Sequence, residues 1–152
     1  MAIRDLSILD QIFNNVDVEK TENNVRNYFS NKFPQLVMKA GYSMSQLKSP
    51  VIDDMPSSTP YGNTVEKQLV AYIDARLVVI ETIVAIDRCP IKYQRLLRLK
   101  YIDELPNYII MERLGYEKTQ YYENTKKAYI WFANSFERTM DLHVYKTGLF
   151  PD

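Results

Sequence analysis

Two local breaks constrain this chain more than any other feature. Both fall in the block RLLRLKYIDELPNYIIMERLGYEKTQYYENTKKAYIWFANSF, residues 95–136. At Leu105-Pro106 the helix that begins near Ile91 must stop, because proline has no N–H and its ring clashes with the preceding turn. At Leu114-Gly115 a short helix over residues 107–113 ends, with glycine where a left-handed conformation is tolerated. Glu117 then stands near the start of a long helix, where the dipole favours negative charge. The block reads as helix, short helix, four-residue turn, long helix. That order suits a helix-turn-helix, whose last helix enters the DNA major groove.

The rest of the chain agrees with an all-α protein. Only four glycines and seven prolines interrupt long periodic segments. With 152 residues there is material for one compact domain or two small helical units. A single cysteine, Cys89, excludes an internal disulfide and fits a cytoplasmic protein. No N-terminal segment has the order of a signal peptide. The longest apolar run, residues 77–86, is interrupted by Glu81. It is far shorter than the roughly 18 residues of a membrane span, so no membrane partner is expected. Net charge is zero, yet it is segregated. Residues 88–138 carry ten basic and six acidic residues, whereas residues 1–87 carry eight and eleven. The positive excess sits in the segment with the helix-turn-helix pattern.

Four regions follow. Residues 1–48 form an N-terminal helical region. Ile3, Leu6, Leu9, Ile12 and Phe13 have helical spacing. A second helix starts after the N-cap Asp17, runs through Val25 and Phe29, and is expected to stop before Pro34. Residues 36–40 add a turn ended by Gly41. Residues 49–63, SPVIDDMPSSTPYGN, hold three prolines without periodicity and read as a linker. Thr64 offers an N-cap with Lys67 at the third position, so no capping box is expected. Residues 64–138 hold the long helix and the helix-turn-helix, and residues 139–152 are a tail. The long helix places Val65, Leu69, Tyr72, Ile73, Leu77, Ile80 and Val84 at helical spacing, runs to about Asp87, and breaks at Cys89-Pro90. Its second half is apolar nearly all round, so both faces need cover, either from a homodimer through residues 64–87 or from N-terminal helices that wrap it.

Catalytic chemistry finds little support. His143 stands beside no carboxylate pair or serine motif and reads as a surface or packing residue. Cys89 has no partner at metal-ligand spacing. Asp53-Asp54 reads as a solvated or capping pair, and no glycine-rich phosphate loop exists. No enzyme activity, metal or cofactor is expected. On the last helix Trp131, Phe132 and Phe136 read as packing residues. Tyr121 and Tyr122 point about 100° apart, so at most one is central to the core. The other joins Lys118, Thr119, Gln120, Glu123 and Lys126 on a polar face of groove-reading type: amides and hydroxyls for base edges, lysines for phosphates.

Three blocks occur in one order: VDVEKTENNVRNYFSNKF, then SPVIDDMPSSTPYGN leading into a long helix, then residues 95–136 followed by LHVYK. In this order the chain resembles the ArpU family of phage transcriptional regulators, related to the RinA-type late activators. The last block also resembles region 4 of sigma factors. The resemblance covers nearly the whole chain and rests on spacing and apolar pattern. It implies a protein that binds double-stranded DNA at phage late promoters and positions host RNA polymerase there, activating packaging, morphogenesis or lysis genes. It assigns Lys118, Thr119, Gln120, Tyr122 and Glu123 to base and phosphate contact, Lys126 and Lys127 to the backbone further along, and Tyr121 and Ala128 to the interior. Glu117 departs from the small hydroxyl usual at the cap. The rival readings are a DNA-packaging recognition protein of small-terminase type and a protein-interaction module without DNA contact.

Overall fold

The computed structural model describes residues 15–48 and 65–146. The helix expected over residues 3–13, the linker with Asp53-Asp54, and the Thr64 cap lie outside the described residues. Among the described residues there are helices and one isolated antiparallel bridge, Val16 to Tyr145, so the fold is all-α.

Helix α1 is Val18–Asn27. Extended Asp17 caps it, its carboxylate accepting the Lys20 N–H at 3.1 Å. The expected stop before Pro34 does not occur. A π-helical turn, Tyr28–Lys32, leads directly into α2, Phe33–Lys39. The Phe33 N–H bonds the Tyr28 carbonyl five residues back. This shift of register starts a new first turn, and there the missing N–H of Pro34 costs nothing. Gly41 ends α2 at φ +78°, with the N–H of Tyr42 on the Val37 carbonyl and that of Gly41 on Met38, both at 3.0 Å. This is a Schellman motif, and glycine suits its left-handed position. A short α3, Met44–Leu47, follows a Ser43/Gln46 capping box.

Helix α4 spans Val65–Arg88 and ends at Cys89-Pro90. Ala75, Val79, Thr82 and Ile86 form its buried stripe. Helix α5, Ile91–Leu97, passes into a second π-turn, Arg98–Ile102. The backbone leaves the helix before Pro106, through Glu104 at φ +56°. Helix α6 is Asn107–Leu114 and helix α7 is Lys118–Phe136. Helices α1, α4 and α5 all pack on α7.

One cluster of buried side chains runs from Val25 to Leu142. Its centre is aromatic: Tyr28 packs on Phe29, Phe33, Phe132 and Phe136, with ring centroids 5.3–6.1 Å apart. Such pairs contribute about 0.5–1.5 kcal/mol each beyond burial. The Thr82 hydroxyl donates to the Val78 carbonyl, so Tyr28 donates to Thr82, at 2.7 Å in both cases. Burial pushes the Tyr28 phenol up to about 12. The chain then returns to α1: Asp17 N–H donates to the Val144 carbonyl, Val144 N–H to Thr21 Oγ1, and Asn24 Nδ2 to the Leu142 carbonyl.

Cys89 packs at the end of α4, its thiol 3.4 Å from the Ala85 carbonyl. Burial, then the Asp87 charge, pushes it up to about 11 from an ordinary 9. At neutral pH the thiolate fraction should fall roughly a hundredfold below that of a free thiol. Native protein is therefore expected to react far more slowly with iodoacetamide than urea-unfolded protein does, measured by mass spectrometry of alkylated Cys89; equal rates would contradict the packing. Among the described residues no helix is long and apolar enough to cross a membrane.

Candidate nucleic-acid interface

Helices α6 and α7 meet through three residues, Gly115, Tyr116 and Glu117, one fewer than expected because α6 includes Leu114. Gly115 lies at φ +69°, the Tyr116 N–H bonds the Met111 carbonyl, and the Gly115 N–H bonds Glu112. The chain thus ends α6 with the same Schellman motif that ends α2. Ile110 of α6 is fully buried, and Met111, Leu114 and Tyr116 pack beside it.

Extended Glu117 is the N-cap of α7. Its N–H donates to Gln120 Oε1 at 3.2 Å. Gln120 thus takes the capping-box position three residues on, which secures the helix start with glutamate rather than a small hydroxyl residue at the N-cap. Gln120 therefore has a structural task, and its NH₂ group is the part left to donate to a base.

Tyr121 and Ala128 are fully buried, on the inner side with Asn124, Thr125, Tyr129 and Phe132. Lys118, Thr119, Gln120, Tyr122, Glu123, Lys126 and Lys127 are all exposed. At 100° per residue, Thr119, Glu123 and Lys126 run along the middle of this outer face. Tyr122 flanks them on one side, and Gln120 and Lys127 on the other. Lys126 also lies near Glu22 of α1, whose carboxyl burial raises while the Lys126 and Arg26 charges oppose that rise. Trp131 does not pack into the core. It is 46% exposed and stacks on Tyr93 of α5 at 6.2 Å, whereas Phe132 and Phe136 are buried.

A polar network fixes the two helices relative to each other. The Tyr121 hydroxyl donates to Asn107 Oδ1 at 2.7 Å, and Lys100 Nζ donates to Asn107 Oδ1 at 2.8 Å and to the Tyr121 hydroxyl at 3.2 Å. Asn107 opens α6 and Lys100 lies in the π-turn after α5, so three elements share one junction. Burial, then Tyr129, pushes the Tyr121 phenol up to about 12, so it remains a donor at neutral pH. This junction has no sequence signature beyond an asparagine after Pro106.

His143 has carboxylate neighbours after all. Its Nδ1 is 2.6 Å from Asp141 Oδ1 and 3.9 Å from Glu137, and its Nε2 is 2.7 Å from Asn134 Oδ1. Burial pushes Asp141 up, but hydrogen bonds from Tyr145 and His143 outweigh it and hold the carboxyl below its ordinary value. The Nε2 contact ties this segment to α7, whereas the Nδ1 contact with Asp141 lies within the segment itself. Among the described residues, Glu137, Asp141 and His143 are the group whose ligand atoms lie close enough to share a cation.

Away from the outer face of α7, α4 keeps an apolar stripe that the described residues cover only in part. Val70, Ile73, Leu77 and Ile80 are 54, 46, 55 and 37% exposed. With Val84 they alternate in steps of three and four, the spacing of a coiled-coil seam. A groove of about 600 Å³ lies along this stripe, bounded by Tyr42 and Arg76.

No family model matches the chain, and no solved structure matches it. The chain is similar to a protein of Enterococcus hirae named "Putative autolysin regulatory protein ArpU", with 27% identity over 129 residues, 84% of this chain and 93% of that protein. A match of that length necessarily includes α6 and the first half of α7. What the chain is similar to, over nearly all of its described helices, is thus a protein named for a regulatory role.

Proposed function

We propose that this protein is a transcriptional regulator of the ArpU family. It binds double-stranded DNA through a sigma-region-4-like helix-turn-helix formed by α6 and α7. It acts in the cytoplasm of a bacterial host, at late promoters of a phage or prophage, and activates them by positioning host RNA polymerase. It is not an enzyme and uses no cofactor. The observation that carries this reading is the outer face of α7. Seven polar or amphipathic side chains project there in the first turns, with Tyr121 and Ala128 turned inward, in a chain similar to a named regulatory protein.

One reading helix contacts few base pairs, and a second copy would double the site. The exposed seam on α4 supports a homodimer: its alternation of three and four residues is what a second copy of the same helix would interlock with.

Gln120→Glu tests the reading face. It keeps the carbonyl oxygen that caps Glu117 and loses the NH₂ donor. It should leave the melting temperature near that of the parent and relax sequence preference, by about 1–3 kcal/mol at the contacted base pair. Lys127→Ala should instead weaken binding to all duplexes alike and lower the salt slope by about one unit. Competition titrations against a pool of late intergenic duplexes and against random duplex separate the two effects. Parent-like preference in the first variant and a parent-like slope in the second would place the interface elsewhere.

A further inference from the structure

A cavity also opens beside the reading face. It has a volume of about 550 Å³ and lies where α1, the π-turn after α5, the start of α6 and α7 converge. Arg26, Ser30, Lys100, Asn107, Tyr122 and Thr125 are among its lining residues, and none of the lining residues is acidic. Tyr122 is shared with the outer face of α7, so the two surfaces are continuous.

The cations in it hydrogen-bond only neutral partners. Lys100 donates only to the neutral oxygens of Asn107 and Tyr121, and its ammonium lies 5.7 and 5.5 Å from the Tyr101 and Tyr121 ring centroids. Arg26 donates to the neutral Asn23 at 3.3 Å and lies over the Tyr129 ring at 5.7 Å. Among the described residues neither has an ion pair. Glu22, one turn earlier on α1, senses the Arg26 charge but is not in the lining. Burial, then the charge of Arg26, holds the Lys100 ammonium below its ordinary value, so two like charges share this space at a cost. An anion entering the cavity would relieve that cost.

We propose that the Arg26–Lys100 cavity holds one phosphodiester group of the DNA strand passing the reading helix, which brings α1 into the interface. The guanidinium offers a planar fork to two phosphate oxygens, and the ammonium has a third N–H beyond those given to Asn107 and Tyr121. The Ser30 hydroxyl supplies a neutral donor. The contact positions the protein on the duplex and reads no sequence. This inference rests on the DNA-binding reading above, and the experiment is arranged so that the two fail differently.

Arg26→Gln and Lys100→Gln are compared with the full-length parent by fluorescence anisotropy on a labelled random duplex over a range of salt concentrations. Arg26 is exposed, so its variant should fold even if Lys100→Gln does not; melting curves check both. Each folded variant should bind more weakly and lose about one unit of salt slope, with sequence preference unchanged. If the parent binds duplex and Arg26→Gln keeps its affinity and slope, the cavity is not a phosphate site and the DNA-binding reading stands. If the parent binds no duplex, that reading fails, and inorganic phosphate becomes the probe. Saturable amide shifts at Ser30, Asn107 and Thr125, absent in Arg26→Gln, would then assign the cavity to a free phosphate. No shift at all would overturn the proposal.

Discussion

Tyr121→Ala should lower the stability of the folded protein by about 3–5 kcal/mol, the cost of truncating a buried aromatic residue. The ring is fully buried, and its hydroxyl bonds Asn107 and accepts from Lys100 at the junction of α6, α7 and the π-turn. The substitution leaves a cavity and removes one partner from each of two polar groups. Tyr121→Phe keeps the ring and loses only the hydroxyl, so about 0.5–1.5 kcal/mol is expected. Urea unfolding of both variants measures the two terms. A Tyr121→Ala stability within about 0.5 kcal/mol of the parent, the range of ordinary surface changes, would mean that α7 is rotated from its described orientation.

Ile80→Glu should halve the mass in solution. Ile80 lies on the exposed stripe of α4 with Val70, Ile73 and Leu77, not on the buried stripe with Val79 and Ile86. In the proposed dimer a carboxylate there would meet its own copy across the seam, where desolvation without a partner is costly. It should leave the monomer folded, because the side chain is already 37% exposed in one chain. Sedimentation equilibrium with circular dichroism on the same sample distinguishes dissociation from unfolding. A parent that sediments as a monomer at micromolar concentration, with Ile80→Glu identical to it, would remove the seam from the account.

The features legible in the sequence are those set by local chemistry. Asp17, Gly41, Cys89-Pro90 and Gly115 each mark a helix end because cap geometry depends on a few neighbouring residues. The inward turn of Tyr121 and Ala128 came with the family resemblance, and their burial agrees with it. What sequence reasoning missed depends on non-local packing. Pro34 breaks a regular α-helix but is absorbed by a π-turn whose Tyr28 and Phe29 are anchored in the core. Trp131 follows the same helical period as Phe132, and periodicity alone does not say which flank a neighbouring helix leaves open. The Lys100–Asn107–Tyr121 junction and the His143–Asn134 contact join residues 7 to 21 positions apart on different elements, beyond the reach of one helical turn. Gln120 was legible in part: Glu117-x-x-Gln120 has capping-box spacing, with glutamate where serine or threonine is usual.

The central claim is that the face presented by α6 and α7 binds duplex DNA. The most direct measurement is the affinity of the unmodified full-length protein for duplex as a function of salt. Displaced counterions make log K fall linearly with log salt, by about 0.9 per phosphate neutralised. The account predicts tighter binding to a late-promoter duplex than to random duplex, with a slope of several units on both. Equal, salt-independent or absent binding to the two duplexes would contradict it.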